Sequence, residues 1–417
     1  MNYAAVSVKA NSAARWIAVA LGFSIPVSTA LDNILLSLLL ACWLAGLGFR
    51  DKLQQIKLNP VAVLALVFFA LLVAAAFYGG NAWADRLHYL NKYREFLLIP
   101  LFVTCYREPR TRQHGITALA AALVLTLLFS YAIGLGLLPE YFFMRGSGYN
   151  EAGTLNAVAF KLSITHGILM ALGAFLFAQL ARVAPTLRMR VMWSGFALLA
   201  LFNVLFMVQG RTGYLILAVL LVYFCFTAFK WKGLAAAIAG GTLLFGSAYF
   251  AAGTFHSRID KAVSEFSAWQ PQQAAGEENS VGLRMEWYKN SLDIVREHPI
   301  FGAGTGGFPK AYAEKTLGSG KLVPAHPHNE YLLIAVQLGL VGLALLFYLF
   351  YRQWRLASSL PLALEQNLAR GLLLTIIFGC LFNSLLVDHT EGLLYAWLSG
   401  LLYGGLNSSD NPANMTQ

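Results

Sequence analysis

Long apolar runs, separated by short polar segments, follow one another along almost the whole chain. A helix needs roughly 20 apolar residues to cross a bilayer, and twelve runs come close enough to this length to be candidate spans. These runs cover residues 14–31, 33–49, 60–78, 95–106, 116–137, 157–181, 191–208, 213–229, 233–252, 331–350, 371–387 and 391–405. The pattern predicts an all-α integral membrane protein with about twelve transmembrane helices.

One polar segment, residues 253–330, is much longer than the others and lies between the predicted ninth and tenth spans. Within it, Ser280 is a candidate N-cap for a helix over Val281 to Arg296, and Pro299 follows that helix. We therefore expect a long helical loop between two sets of spans. The predicted divisions are spans 1–9 over residues 1–252, the loop insert over 253–330, spans 10–12 over 331–405 and a disordered tail over 406–417.

The composition agrees with a membrane protein, because 58% of the residues are hydrophobic and 12% are charged, against about 25% charged in soluble domains. Lysine and arginine collect in the cytoplasmic loops of membrane proteins. With both termini inside, most of the basic residues outside the long insert fall in inner loops, and the insert lies outside the cytoplasm. The formal net charge of +10 thus predicts orientation and contact with anionic membrane lipids, and we expect no binding of nucleic acid.

Two histidines lie where the insert meets the tenth span, in the sequence Pro-Ala-His-Pro-His-Asn-Glu at residues 324–330. A histidine near its usual pKa can accept a proton at neutral pH. Pro327 favours extended geometry at His326, so the His326 and His328 side chains cannot both project from a regular helix. Asn329 is the candidate N-cap of the helix that follows. This stretch predicts acid-base chemistry at the external surface of the membrane.

Two arginines are candidates for binding an anion. Arg211 lies in Gln-Gly-Arg-Thr-Gly at 209–213, a turn between two spans whose glycines permit close approach of a ligand. Arg284 lies near the start of the predicted insert helix, where backbone N–H groups also favour anions. Guanidinium groups bind phosphate through paired hydrogen bonds. The two arginines predict a phosphate site, with pairing of Arg211 to a carboxylate or to carbonyl groups as the structural alternative.

Other polar residues on the predicted external side are candidate substrate contacts. Arg145 lies in an aromatic loop, and Lys161 follows it about one turn inside the sixth span, where a lone cation either reaches toward the surface or faces a polar cavity. Asp388 lies in the short connection before the last span, together with His389 and Glu391. Asp388 either contacts a substrate or caps the helix that follows.

Residues 302–307 contain the pattern GxGxxG. A dinucleotide-binding fold needs a strand before this pattern and a helix after it. A predicted helix and Pro299 precede it instead. We therefore expect a flexible hinge that leads to the histidine stretch.

A metal site is one alternative for the polar residues. The candidate ligands are His326, His328, Glu330, Asp388 and His389. His-x-His spacing is weak evidence for a metal when no third ligand follows at a fixed distance. All four cysteines lie in apolar runs, so neither a thiolate site nor a disulfide framework is indicated.

A transporter is a second alternative, since polar groups occur near the spans. The charged residues, however, collect at one surface, whereas transporters bind substrate near the middle of the membrane. The third possibility is group transfer at the external leaflet. In that case Arg211 and Arg284 bind a phosphate group, and His328 removes a proton from an acceptor hydroxyl.

Several of these motifs resemble those of a known family. The motifs are Gln209-Gly-Arg-Thr-Gly213 after a span, Leu283-Arg-Met-Glu-Trp287 and Pro299-Ile-Phe-Gly in the long loop, and His328-Asn-Glu-Tyr-Leu332 before a span. They resemble the bacterial O-antigen ligase and polymerase superfamily, and the twelve-span layout extends the resemblance over most of the chain. Size and layout are most similar to the lipopolysaccharide O-antigen ligases.

The resemblance implies a metal-independent, cofactor-free glycosyltransferase in the bacterial inner membrane, with its active site facing the periplasm. The donor would be a glycan on undecaprenyl diphosphate, and the acceptor would be lipid A-core. By the same resemblance His328 is the essential histidine, and Arg211 and Arg284 bind the diphosphate. The expected substrate contacts are His326, Asn329, Lys161, Arg145 and Asp388. The sequence does not decide whether the protein is a ligase or a polymerase. It also does not decide whether His326 or His328 is the base.

Overall fold

The computed structural model describes residues 3–139, 148–149, 155–251, 253–269, 280–319 and 323–406. Nearly all of this part of the chain is helical, which agrees with the all-α prediction. The described strands form one short antiparallel pair, β1 (Gly148–Tyr149) and β2 (Leu155–Asn156). Of the predicted tail, residues 407–417 lie outside the described range.

The described helices are numbered α1 to α16 in chain order. They are α1 (Tyr3–Val27), α2 (Thr29–Ala45), α3 (Phe49–Leu58), α4 (Pro60–Ala75), α5 (Trp83–Lys92), α6 (Glu95–Cys105), α7 (Pro109–Gly134), α8 (Ser163–Val183), α9 (Leu187–Phe202), α10 (Arg211–Ala251), α11 (Gly253–Ser267), α12 (Ser280–Glu297), α13 (Phe308–Lys315), α14 (Glu330–Leu356), α15 (Ala363–Gly379) and α16 (His389–Tyr403). A π-helical segment, Asn203–Met207, follows α9, and a 3₁₀ turn, Ala357–Ser359, follows α14. The predicted insert helix after Ser280 is thus confirmed as α12.

Several helices are able to span a membrane, and the chain is a multi-pass membrane protein. Five described helices are long and apolar enough, and α2 with α3, bent by 114°, would make a sixth. The predicted eighth and ninth spans are joined in α10, which is kinked at Lys230 with φ +55°. Four other predicted spans correspond to α4, α6, α15 and α16, which have 16, 11, 17 and 15 residues and are shorter than the roughly 20 residues of a typical transmembrane helix. The count of twelve therefore stays a prediction.

Glu330, the first residue of α14, holds this end of the helix in place. Its N–H donates to Cys380 O at 2.9 Å. Its buried carboxylate accepts hydrogen bonds from Tyr93 Oη at 2.7 Å and from Leu386 N at 2.9 Å. The histidine stretch before α14 is thereby fixed against the segment that joins α15 to α16.

The glycine-rich loop at 302–307 is packed between two helices, in contrast to the flexible hinge that we expected. Its hydrogen bonds run from Ala303 N to Val336 O (2.7 Å), from Gly304 N to Gln337 O (3.0 Å) and from Thr305 N to Ala75 O (3.1 Å). Gly304 has φ +86°, and a Cβ atom there would lie 2.6 Å from Tyr78 O. Glycine is needed because the backbones approach so closely, so the pattern serves packing against α4 and α14.

A buried ion pair joins α7 to α15. Arg112 Nε lies 2.7 Å from Glu365 Oε1, and the two side chains are 2% and 0% exposed. Arg112 also donates to Arg107 O at 2.8 Å. Each charge depends on the other, because an unpaired charge in this position would be costly.

Candidate functional site

His328 has an unusual backbone conformation, with φ +53° in the left-handed region. Such a conformation costs about 1–3 kcal/mol and persists where the surroundings hold it. Tyr288 Oη donates to His328 O at 3.1 Å, and His326 Nδ1 accepts the His328 N–H at 3.3 Å. Backbone strain of this kind collects at functional sites, and here it occurs at the histidine that the resemblance indicates as essential.

The imidazole of His328 stacks on the indole of Trp287 in α12, with ring centroids 5.1 Å apart and an interplanar angle of 19°. The His326 ring lies 4.4 Å from it, tilted by 55°. Burial, followed by the positive charge of Arg284, lowers the pKa of His328 below its ordinary value, and a hydrogen bond with Asn383 acts in the opposite direction. His328 is therefore neutral and able to accept a proton at neutral pH.

Three buried nitrogen atoms in the side chains of His328, Trp287 and Arg211 lack a hydrogen-bond partner among the described residues. They are His328 Nδ1, Trp287 Nε1 and Arg211 Nη2. Most buried polar groups in folded proteins are paired, so these atoms are free to bind a ligand. The indole and guanidinium nitrogens are N–H donors, which suit the oxygens of a phosphate group.

Arg211 and Arg284 both come from the N-terminal parts of helices. Arg211 is the first residue of α10, and Arg284 is the fifth residue of α12. Both line a cavity of about 290 Å³ together with Tyr288, Phe382 and apolar side chains of α10, α11 and α12. Burial lowers the pKa of Arg284, and the nearby charge of Arg211 lowers it further. The two guanidinium groups and the helix N-termini therefore make one side of the cavity positively charged. Arg284 is close enough to His328 to affect its pKa.

Two residues of α11, Arg258 and Glu265, complete this group, and the sequence analysis did not assign either one to the site. Arg258 Nη2 donates to Gln209 Oε1 in the turn before Arg211. Glu265 Oε2 lies 3.7 Å from Arg211 Nη1 and accepts from Ser280 Oγ and the N–H of the next residue, both at 3.1 Å. The spacing of seven residues, which puts Arg258 and Glu265 on one face of a helix, could have indicated them. We call Arg211, Arg258, Arg284 and Glu265 the basic group.

His326 and Asn329 both make hydrogen bonds within the protein. Burial, with a smaller contribution from the charge of His328, lowers the pKa of His326 to about 4. The Nδ1 atom of His326 already accepts the His328 N–H, so His328 is the better placed base. Asn329 caps α14 as predicted, since its Oδ1 accepts from Leu332 N at 3.0 Å, and its Nδ2 donates to Leu381 O at 2.9 Å. Both ends of the Asn329 amide thus bind the protein itself.

Lys161 and Asp388 lie apart from the basic group. Lys161 precedes α8, and the residues just before it, including Phe160 with φ +63°, are not helical, so the expectation that Lys161 lies one turn inside a span is wrong. Its Nζ donates to Thr29 Oγ1 at 2.9 Å. Asp388 precedes α16 and makes no side-chain capping hydrogen bond within the described chain. Burial raises the pKa of Asp388. Arg145 lies outside the described residues.

Lys161 and Asp388 border a second set of polar residues that is mainly acidic. His389 lies between two carboxylates, with Nε2 3.5 Å from Asp32 Oδ2 and Nδ1 4.0 Å from Glu95 Oε1. Asp32 and Glu95 are buried and occur in the first turns of α2 and α6. Nothing in the sequence distinguished these two acids from ordinary N-terminal helix residues. We call Asp32, Glu95, Lys161, Asp388, His389 and Glu391 the acidic group.

Lys92 interacts with both the histidine stretch and the acidic group. It interacts electrostatically with His326 on one side and with Asp388 on the other. His326 in turn contacts His328. The proposed base therefore lies at the boundary between a positively charged and a negatively charged region.

The predicted metal ligands do not converge. No set of three or more His, Cys, Asp or Glu side chains in the described ranges is arranged to hold a metal ion. His328 stacks on Trp287, and the carboxylate of Glu330 is bonded to Tyr93 and to a backbone N–H. The metal alternative thus has no ligand set in this part of the chain.

A family model described as O-antigen ligase matches residues 196–347. The matched segment contains Arg211, Arg284 and His328, together with α11 and α12 between them. No curated protein matches the chain. The family match thus falls on the basic group and the histidine stretch, whereas all six residues of the acidic group lie outside it.

Proposed function

Because the chain belongs to the O-antigen ligase and polymerase superfamily through residues 196–347, we propose that it is an O-antigen ligase. It transfers O-antigen polysaccharide from undecaprenyl diphosphate to a hydroxyl group of lipid A-core. The observation that carries the proposal is that Arg211 and Arg284 line one cavity, that His328 lies close to Arg284, and that Arg211 and His328 each have a buried nitrogen atom without a partner in the described chain. Two guanidinium groups beside a neutral imidazole suit a phosphorylated donor and a hydroxyl acceptor.

In the proposed reaction the acceptor hydroxyl gives its proton to His328. The acceptor oxygen forms a bond to the anomeric carbon of the donor sugar, and the bond from that carbon to the diphosphate oxygen breaks. The bonding electrons leave with the diphosphate, whose new negative charge is stabilised by Arg211 and Arg284. A single displacement inverts the configuration of the anomeric carbon. The sugar-diphosphate bond is already activated, so these residues need no nucleotide.

The same proposal assigns the site to the periplasmic face of the inner membrane. The 253–330 insert would lie in the periplasm between spans nine and ten of twelve, which agrees with the distribution of basic residues. The donor diphosphate occupies the basic group. The acceptor then approaches past His326, with Lys161 and Asp388 as its candidate contacts, because the basic group is already filled. Arg145 is kept as a further candidate contact, and Asn329 positions His328.

The test is complementation of a strain from which the protein has been deleted. Lipopolysaccharide from the deletion strain should lack attached polysaccharide, and lipid-linked polymer should accumulate. Core that carries a single repeat unit would instead indicate a polymerase, and donor trapped on the cytoplasmic leaflet would indicate a transporter. Wild-type protein should restore the ladder of glycosylated lipopolysaccharide on a gel.

The variants Arg211→Ala, Arg284→Ala and His328→Asn should fail to restore the ladder. Asparagine is chosen at His328 because it tolerates the left-handed backbone better than alanine does. Matched controls are Arg296→Gln and His298→Asn, since both side chains are exposed and close in sequence to the site. Normal ladders from all three site variants would end the proposal.

A further inference from the structure

Glu265 is a carboxylate placed within a cluster of arginines. It is 8% exposed, and its Oε2 lies 3.7 Å from Arg211 Nη1. Its negative charge also favours the charged forms of Arg258 and Arg284, and Arg211 disfavours both. The four side chains are therefore close enough to influence one another. Three guanidinium groups and one carboxylate give the basic group a formal net charge of +2. Lys261 Nζ also lies 3.7 Å from Glu265 Oε1, but the Lys261 side chain is 53% exposed, so solvent screens its charge more strongly than those of the basic group.

The charge on the proposed donor differs from the charge on its product. A sugar ester of polyprenyl diphosphate has one ionised oxygen on each phosphate, or about two negative charges. When the bond to the sugar breaks, the terminal phosphate can ionise a second time, with a pKa near 6, so the product approaches three negative charges at neutral pH. The proton from the acceptor is then on His328. The charge of +2 on the basic group thus matches the donor before transfer. After transfer the basic group and protonated His328 together match the product, until His328 is deprotonated.

We infer that Arg258 is a third guanidinium group for the donor diphosphate, and that Glu265 sets the charge of the basic group to match the donor and not the released product. This inference rests on the proposed function. Once His328 loses its proton to water, the product has one negative charge more than the site can neutralise. Glu265 therefore promotes product release at some cost in donor affinity.

The contacts of the two residues explain how they are positioned. Arg258 donates a hydrogen bond to the side-chain oxygen of Gln209, in the turn that precedes Arg211. Glu265 accepts hydrogen bonds from Ser280 Oγ and Val281 N at the start of α12. Capping of α12 needs a hydrogen-bond acceptor but no negative charge. Glutamine at position 265 keeps the acceptor and removes the charge, so it separates the two roles.

The experiment measures the KM for lipid-diphosphate glycan and the inhibition constant of undecaprenyl diphosphate, using the full-length protein in nanodiscs. Glu265→Gln should lower the donor KM about tenfold, which is a modest effect for the removal of one unit charge from a partly buried site. The inhibition constant should fall further, by about thirtyfold, because the product carries about three charges where the donor carries two. The kcat should fall, since the product leaves more slowly.

Arg258→Gln should change both constants in the opposite direction, and Arg258→Lys should restore part of the difference because lysine restores the positive charge but not the paired hydrogen bonds of a guanidinium group. The double variant Arg258→Gln/Glu265→Gln has the wild-type net charge. Its ratio of inhibition constant to KM should return close to the wild-type ratio. A capping or packing role alone would lower the thermal unfolding midpoint without changing this ratio.

Lys289→Gln and Glu314→Gln are the controls for charge, because both side chains are exposed on nearby helices. They should leave both constants within about twofold of wild type, as expected for solvent-screened charges. Unchanged constants in Glu265→Gln and Arg258→Gln, with wild-type transfer intact, would overturn this inference and leave the proposed function standing. Wild-type protein that neither transfers glycan nor is inhibited by undecaprenyl diphosphate would instead overturn the proposed function.

Discussion

Replacement of Trp287 by leucine tests whether the indole stabilises the protonated form of His328. The rings stack at 5.1 Å with an angle of 19°, so protonation would put an imidazolium charge over the indole face. Cation–π contacts contribute about 0.5–1 kcal/mol at exposed sites and about 2 kcal/mol when desolvated. Both side chains are partly buried, and about 1 kcal/mol is an intermediate value. It corresponds to a decrease of about 0.7 in the pKa of His328 and to a rate about fivefold lower, if most of the charge has developed in the transition state.

The assay is transfer of glycan from undecaprenyl diphosphate to lipid A-core by purified protein, followed by gel mobility across a range of pH. The dependence of kcat/KM on pH reports the pKa of the free enzyme's base. In Trp287→Leu the acid side of this profile should move to lower pH. Loss of the indole removes the cation–π stabilisation of the imidazolium form and not of the neutral form, so the pKa of His328 falls. The plateau should fall about fivefold.

Trp287→Phe is the matched control, since phenylalanine keeps a ring face with a weaker attraction for cations. It should give a smaller shift in the same direction. A shift to higher pH in Trp287→Leu would refute the reasoning, because it would mean that the indole acts mainly by excluding water from His328. An unchanged profile would show that the stacking has no electrostatic role.

Three further changes test the site and its support. In the wild-type protein kcat/KM should stay level as the pH falls through 6.5 and decline below it, because burial and Arg284 lower the pKa of His328. In Arg284→Gln the decline of the residual activity should begin at higher pH, because the positive charge that lowers this pKa is gone. A pH profile that does not move would contradict the placement of the two charges. Glu365→Ala should lower the stability measured by unfolding in detergent by about 3–5 kcal/mol, since it leaves Arg112 buried without its partner, whereas the double change Arg112→Met/Glu365→Leu should cost clearly less. Gly304→Ala should destabilise the protein by more than the roughly 1–2 kcal/mol that a left-handed backbone costs a residue with a Cβ atom, because the new Cβ atom would also lie 2.6 Å from a carbonyl oxygen. An unchanged midpoint of unfolding would mean that the loop is not packed as described.

The sequence predicted the helical elements well where the local signal is strong. Ser280 and Asn329 were correctly identified at the starts of α12 and α14, because a polar residue before an apolar helical pattern indicates an N-terminus. The position of Lys161 was predicted wrongly, because the apolar residues before it are not helical and hydropathy alone does not report backbone conformation. The hinge at 302–307 was also wrong, because glycine permits both flexibility and close packing and the sequence does not distinguish the two.

The candidate site was predicted in part. Arg211, Arg284 and His328 can each be identified from the sequence, because guanidinium and imidazole groups in the predicted external segments suit anion binding and proton transfer. Their proximity depends on how α10, α12 and α14 pack, which no local pattern encodes. The sequence does not assign Arg258 and Glu265 to the site, because charged residues on an amphipathic loop helix usually face solvent. The stack of Trp287 on His328 joins two residues far apart in sequence, and only the tertiary structure shows it.

The most direct measurement compares donor binding with glycan transfer in purified His328→Asn protein. The roles of His328 as base and of Arg211 and Arg284 as the diphosphate site predict that this variant binds lipid-diphosphate glycan with nearly wild-type affinity but transfers none to lipid A-core. Arg284→Gln, by comparison, should bind the donor more weakly. Transfer by His328→Asn at the wild-type rate, or donor affinity in Arg284→Gln equal to wild type, would contradict these roles.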